Sequence, residues 1–451
     1  MNARETLNAH GSADPSAGSL TERLVRLIRA KPVSRADLDA AALFTLDAIA
    51  NILAGRNSAP GQVLLDWWNA RTTSNMAPDP ERLAFLMGGL CHILETDDLH
   101  RESVVHPGCV VVPAAWALAA NRGASGQALL ESVLHGFEAT TRVGMAVGPA
   151  HYRIWHNTAT CGPFGSAMAG AALLGLTDTE VVHALGNAGS QSAGLWQFLE
   201  TGAMTKHLHA GHAAEAGLKA AELAAFGFTG PPRILEGEKG FFRAACPDAD
   251  PNAVLRAPEQ PWQLVRTSIK PWPSCRHTHP AIDAAEELRV RLGAPTESAI
   301  REIEVGTYQA ALDVCDRPIA TSDYEAKFSL QHATAAAMLY PLVDFAAFGD
   351  EARARCAALA LRVRIAAEEP YRSAYPKSWG ARVRVTLNDG TVLEATRTNA
   401  KGDPEAALSH DEMVAKAHML LAHGKVREPD RIVDGVLGLA ADGALPDLSL
   451  V

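Results

Sequence analysis

The 451 residues are 47% hydrophobic, 20% charged and only 6% aromatic, enough chain for two or three domains at roughly 100–200 residues each. Forty-one Lys+Arg against 51 Asp+Glu leave a net charge of -10, and no Lys/Arg cluster supplies the basic face of a nucleic-acid binder. No apolar run reaches the ~18–20 uninterrupted residues of a membrane span; the closest, Ala41–Ala54, is broken by Asp47 and Asn51. The expectation is a soluble, cytoplasmic protein that partners neither nucleic acid nor membrane.

In chain order, Met1–Ser19 reads as a flexible polar tail containing Gly, Ser and Pro. From Leu20 to about Gly227 the chain is Ala- and Leu-rich with helical spacing and almost no β-branched runs. Leu38, Leu43, Leu46, Ile49 and Leu53 share one helical face, and Gly55 suits a stop. Further helices are predicted over Pro113–Ala120, Gly126–Val147, Gly165–Leu176, Asp178–Ala188 and Ala213–Ala225. Several are apolar almost all round, which places them at a domain centre or a subunit interface.

The composition changes near 260. Ala299–Tyr308 and Leu361–Ile365 alternate as half-buried strands do, and Ala381–Val385 and Thr391–Ala395 flank an Asn388-Asp389-Gly390 turn. Ile282–Leu292 and Ala326–Leu339 read as helices. Residues 267–398 therefore form an α+β unit, expected to hold an antiparallel sheet with helices on one face. Ser409-His410-Asp411-Glu412 then has the form of a capping box opening a helix over Met413–Leu421. Residues 399–451 most economically pack back on 20–266, giving a mainly α protein whose large helical domain is built from both chain ends.

The seven cysteines, 91, 109, 161, 246, 275, 315 and 356, are odd in number and widely spaced. That pattern suits neither a disulfide framework nor a zinc ribbon nor an iron–sulfur cluster. Histidine is more informative. His100 and His106, His151 and His156, His207, His209 and His212, His277 and His279, and His332 fall in five short segments that interrupt the hydrophobic periodicity.

A single histidine is more often structural than catalytic, but five such segments suggest loops and helix ends converging on one pocket. Asp97 and Asp98 stand beside the first pair, with Glu95 just before them. Tyr152 lies in the second segment, Lys206 in the third, and Lys270, Cys275 and Arg276 in the fourth. Histidines near Lys206 would lower its pKa. Lys, Arg and His together attract carboxylates, and histidines titrating near neutrality move protons beside them. The chemistry expected is proton abstraction next to a carboxylate, followed by loss of water or carbon dioxide, or by reprotonation, with no organic cofactor.

The segments D-D-L-H-R-E-S-V-V-H-P-G (97–108), H-Y-R-I-W-H-N-T-A-T-C-G-P-F-G (151–165), M-T-K-H-L-H-A-G-H-A-A (204–214), K-P-W-P-S-C-R-H-T-H-P-A-I-D (270–283) and E-A-K-F-S-L-Q-H (325–332) together resemble the MmgE/PrpD family. The likeness runs from L-D-A-I-A-N-I-L-A-G (46–55) to the capping-box helix. It implies a large helical domain and a smaller α+β lid with the pocket between them, in a homodimer without metal or iron–sulfur cluster. The activities it implies are those of 2-methylcitrate dehydratase, cis-aconitate decarboxylase and iminodisuccinate epimerase, acting on small di- or tricarboxylates.

By that resemblance His106, His156 and Lys206 match pocket positions, Asp97 and Asp98 match the paired acids, and His279 matches a lid histidine. These six are the catalytic candidates. Glu95, His151, Tyr152, His209, Lys270, Cys275, Arg276, His277 and His332 are the substrate-binding ones. Departures are Glu95 at the first acid, Leu99 at a threonine, Cys275 at a pocket histidine, His332 at a tyrosine, and one extra residue in the loop to His106. A dehydratase-like lyase is the leading reading, with decarboxylase and epimerase as alternatives. Two other readings are a catalytically silent carboxylate-binding homologue and a metal-dependent hydrolase using His207, His209 and His212. Against the latter, His410-Asp411 is explained by capping and no H-E-x-x-H is present.

Overall fold

The computed structural model describes residues 18–71, 79–448 and 450. The expected N-terminal tail lies outside them, except for Gly18 and Ser19. Ser19 is the N-cap of a capping box that opens the Leu20–Ala30 helix.

The Ala/Leu-rich text folds into long helices, among them Arg35–Gly55, Pro80–Cys91, Gly108–Arg122, Gly126–Ala146, Asn157–Leu173 and Thr205–Ala225. Asn157–Leu173 packs on Gly126–Ala146 and Thr205–Ala225, and the last of these packs on Pro80–Cys91. Small residues set these distances. A Cβ on Gly55 would stand 2.2 Å from the Leu90 carbonyl oxygen, so this glycine is needed for helix contact. Two helices start earlier than the sequence reading placed them, at Gly108 and Asn157, and carry Pro113 and Pro163 inside. Both are buried along nearly their whole length, and that packing offsets the ~3 kcal/mol an internal proline costs. Arg35–Gly55 is apolar and long enough to cross a membrane, yet it is buried in this core.

A second cluster of buried apolar residues runs from Trp272 to Ala395. It surrounds a four-stranded sheet of order β2-β1-β3-β4, where β1 is Ile300–Thr307, β2 Val363–Ala367, β3 Ala381–Leu387 and β4 Val392–Arg397. β3 pairs antiparallel with β1 and β4, and Gly390 takes φ 90° in the turn between β3 and β4. The expectation of an antiparallel sheet needs correction at one edge. β1 and β2 are parallel, with Val305 opposite Ile365, because the connection between them is a long helical crossover rather than a hairpin. The His279–Arg291 and Leu330–Leu339 helices pack on each other and against these strands. The single helix expected over Ala326–Leu339 is interrupted, and Ser329 caps the second part by accepting from the His332 N–H at 2.9 Å.

After β4 the chain returns to helix. His410–His423 opens with the Ser409/Glu412 capping box and packs on Arg35–Gly55. Its buried Ala417, Leu420 and Leu421 belong to the helical core.

Candidate active site

The turn after the Pro80–Cys91 helix carries the central acids. Asp97 accepts from His92 Nδ1 at 2.6 Å, and His106 Nδ1 lies 3.2 Å from the same carboxylate oxygen. His92 stacks on His156 with ring centroids 5.5 Å apart and meets His106 edge-on at 4.7 Å. His156 stands at the N-cap of the Asn157–Leu173 helix, its Nδ1 3.3 Å from His209 Nδ1. Lys206, in the first turn of the Thr205–Ala225 helix, is paired with Glu95. Lys270 Nζ donates to the Glu95 carbonyl at 3.2 Å and lies 3.8 Å from the Glu95 carboxylate and 3.7 Å from Asp97. His106, His156 and Lys206 are thus linked around a single cluster of two carboxylates, two ammonium groups and four imidazoles.

Burial decides the charges. It pushes His92 down to about 3 despite Asp97, and likewise lowers His106 and, further, His156, where the Lys206 charge also acts. All three are neutral imidazoles at pH 7. Burial opposes ionisation of Glu95, but the Lys206 and Lys270 ammonium groups overcome it and hold that carboxyl below its usual range. Asp97 is likewise kept ionised against burial by its imidazole and lysine neighbours. The reading of Lys206 as an amine lowered by neighbouring histidines is overturned. Burial does lower it, but Glu95 and Asp97 more than compensate, so it rests as a cation at neutral pH. Asp98 differs from its neighbour. Burial, then the charges of Asp97 and Asp47, raises its carboxyl strongly, and both its oxygens sit 3.0 Å from the Gly108 N–H. It fixes the start of a helix rather than carrying site charge.

Other residues singled out from the sequence are tied up elsewhere or stand at the edge of this cluster. His151 is tied to the Ala245 carbonyl at 2.8 Å and to Thr160 Oγ1 at 2.9 Å. His277 stacks on Trp379 and its Nδ1 is 2.8 Å from the Tyr308 hydroxyl. Arg276 forms a buried ion pair with Asp403 and donates to His279 Nδ1 at 2.8 Å, while His279 Nε2 meets the Ser274 carbonyl at 3.2 Å. His332 Nε2 donates to the Ala347 carbonyl at 2.8 Å, inside the second core. These five hold the fold, because a buried polar group takes the nearest partner. Tyr152 packs edge-on against Trp196, whose ring lies 5.5 Å from the tyrosine and 4.6 Å from His156, and its hydroxyl, pushed up to about 12 by burial, feels the charges of Lys206 and Glu95 at the edge of the cluster. Cys275 is half-buried, with its thiol against that of Cys315, which pulls it below its ordinary range, and the charges of Glu95 and Lys270 also reach it. Leu99 turns into an apolar group with Tyr308, Tyr371 and Trp379, so nothing at that position offers a hydroxyl to the site.

Two participants escaped the sequence reading. His92 falls at the end of an apolar helix, outside the five segments; its only signal is a spacing of five residues from Asp97. Trp196 sits in a short 3₁₀ turn with no motif around it.

The ring nitrogens of His92 and His106 with an Asp97 oxygen are, among the described residues, a group able to hold a metal, with atoms within 4.8 Å of one another. The ammonium group of Lys270, 3.7 Å from Asp97, would repel a cation, and one Asp97 oxygen already accepts from His92. The donor set suits an anion better. His156 Nε2 is buried without a hydrogen-bond partner and, when it carries the ring proton, can donate to one; His92 Nε2 is also unpartnered, but its ring gives its proton to Asp97 and offers only a lone pair there.

A two-core chain with this arrangement of acids, lysines and neutral imidazoles is of the kind found in a lyase-type family. Residues 22–254 match the MmgE/PrpD N-terminal domain and residues 272–437 the C-terminal domain, so the chain belongs to the MmgE/PrpD family. Within it the chain is 28% identical over 390 residues to cis-aconitate decarboxylase of Aspergillus terreus, covering 80% of this chain and 78% of that one. It is 30% identical over 274 residues to cis-aconitate decarboxylase of Homo sapiens, covering 58% and 55%. It is also 30% identical over 226 residues to the cis-aconitate decarboxylase-like protein oryM of Aspergillus oryzae, covering 47% of each.

Proposed function

We propose that this lyase acts on a small tricarboxylate by forming a carbanion next to a carboxylate, and that decarboxylation of a cis-aconitate-like substrate is its reaction. The observation that carries the reading is a neutral His156 whose buried Nε2 has no partner, in the same cluster as a charged Lys206. An ammonium group has three donors. One meets Glu95, which leaves two for an incoming carboxylate.

In decarboxylation the C–CO₂ bond breaks and its electron pair passes into the adjoining unsaturated carboxylate, whose growing charge Lys206 stabilises. A proton then closes the carbanion, with the Lys206 ammonium group or an imidazole N–H as donor. The names of the relatives favour this outcome. Dehydration of a 2-methylcitrate-like hydroxy acid is a second reading, supported by His106 backed by Asp97, a pairing suited to removing or returning a proton at a hydroxyl. In that reaction His156 takes the proton beside the carboxylate and the C–OH bond breaks.

Residues 267–398 would act as a lid over the helical domain, with Lys270 as its cation over Glu95 and Asp97. A homodimer is supported by an exposed apolar surface. Ile154 and Leu195 are brought together by the Trp155–Leu195 bridge, and the exposed Leu199, Met204 and Leu208 follow along the chain.

The test is to incubate the protein with cis-aconitate, trans-aconitate, citrate, 2-methylcitrate and iminodisuccinate in deuterated water and follow each by NMR. Release of carbon dioxide with one deuterium fixed in the product is the expected result for cis-aconitate. Elimination of water from 2-methylcitrate would favour the second reading. Deuterium exchange without elimination would instead mark an epimerase. Binding without change in any substrate would contradict the proposal.

A further inference from the structure

The apolar Arg35–Gly55 helix is interrupted by Asp47 and Asn51, both buried. The apolar face of the His410–His423 helix likewise carries a buried lysine, Lys416, in line with Met413 and Leu420. These three side chains meet beneath the candidate active site. Lys416 Nζ lies 2.5 Å from Asp47 Oδ1 and donates to the Thr96 carbonyl at 2.7 Å. Asn51 Nδ2 donates to the Asp47 carbonyl at 2.9 Å, and Asn51 Oδ1 accepts from the Thr96 hydroxyl.

Thr96 is flanked by two site groups, Glu95 and Asp97. Glu95 has φ 61°, in the left-handed region that costs a residue with a side chain about 1–3 kcal/mol and persists only where the surroundings over-determine it. Here three contacts hold the turn: Lys270 on the Glu95 carbonyl, Lys416 on the Thr96 carbonyl and Asn51 on the Thr96 hydroxyl. Two of them come from below, on helices that touch no reacting group.

We propose that Lys416, Asp47 and Asn51 are positioning residues of the lyase, which rests on the function proposed above. They act through Thr96, fixing the strained turn that aims Glu95 at Lys206 and Asp97 at His92 and His106. The C-terminal helix is on this reading part of the catalytic apparatus, and not only a return of the chain to its core.

The test is the paired variant Asp47→Asn/Lys416→Met, which removes both charges so that neither is left buried alone. Three quantities are read: the melting temperature, kcat and KM on whichever carboxylate the wild type turns over, and the far-downfield proton NMR signal of the short His92–Asp97 hydrogen bond, which needs no substrate. A misplaced reacting group costs up to about 100-fold. The expected result is a folded variant with kcat down about 10–100-fold, KM within about threefold and the His92 signal shifted, with Lys416→Arg recovering part of kcat. A folded variant with wild-type kcat and an unshifted signal would overturn the proposal. If the wild type turns over none of the carboxylates, the proposed function fails, and the His92 signal still decides the positioning role. Should the paired variant not fold, Thr96→Val, which removes only the Asn51 contact, is read in the same way.

Discussion

At the scale of single residues, the site depends on burial keeping imidazoles neutral beside a lysine that rests as a cation. General acid–base groups contribute about 10²–10⁴ in rate. His156→Ala and Lys206→Met should each lower kcat/KM by that order on the active substrate, and retained activity in both would remove them from the mechanism. His277 gives a test of burial itself, away from the chemistry. Burial beside Trp379 and Tyr308 holds it at about 4, against about 6.5 in an unfolded chain. The unfolded chain therefore binds the extra proton first, and the stability this residue contributes above pH 6.5 is lost as pH falls towards 4. The stability advantage of the wild type over His277→Phe should narrow between pH 7 and 5, by up to about 1.4 kcal/mol per pH unit, in denaturant midpoints measured at both pH values. A constant gap would contradict that burial. His106, His156, Lys206, Asp97 and Glu95 were legible in the sequence because acids and bases crowd into segments that break an apolar pattern. His92 was not, since a histidine closing an apolar helix carries no such mark.

At the scale of elements, periodicity located all four strands and many of the helices, but it passed over Leu20–Ala30, Ala59–Asn69, Pro80–Cys91, Asp350–Ala360 and Pro429–Gly438 and began others late. Pro113 and Pro163 are local stop signals overridden by packing on every side. The β1–β2 pairing could not be read from alternation, which is the same in parallel and antiparallel neighbours; only the long crossover settles it. The Ser409 capping box was fully legible because both of its hydrogen bonds are local. Ser409→Ala should cost about 1 kcal/mol in denaturant unfolding. The Arg276–Asp403 pair joins the start of the second core to the segment leaving it, both partners almost fully buried. Arg276→Met leaves that buried carboxylate with Arg101, 3.4 Å away, as its remaining cation, and should cost about 1–3 kcal/mol. A variant that instead keeps full stability and loses only substrate affinity would return Arg276 to the binding site.

At the scale of the whole molecule, two cores meet along the strip that carries the chemistry. Leu99 and Ser268 exchange backbone hydrogen bonds of 2.8 Å in each direction, and Lys270, two residues on, reaches Glu95. Such long-range meetings are what a sequence shows least, because the contact belongs to neither segment alone. The central claim is that imidazole and ammonium groups from separate helices surround one anion. Its most direct test is titration with tricarballylate, a tricarboxylate with no double bond or hydroxyl to lose, followed by calorimetry and by the imidazole nitrogen NMR signals. The account predicts one site per chain, movement of the His106 and His156 signals with the same saturation curve, and at least about tenfold weaker binding in Lys206→Met. Binding that leaves both imidazoles unmoved, or that is unchanged in Lys206→Met, would contradict it.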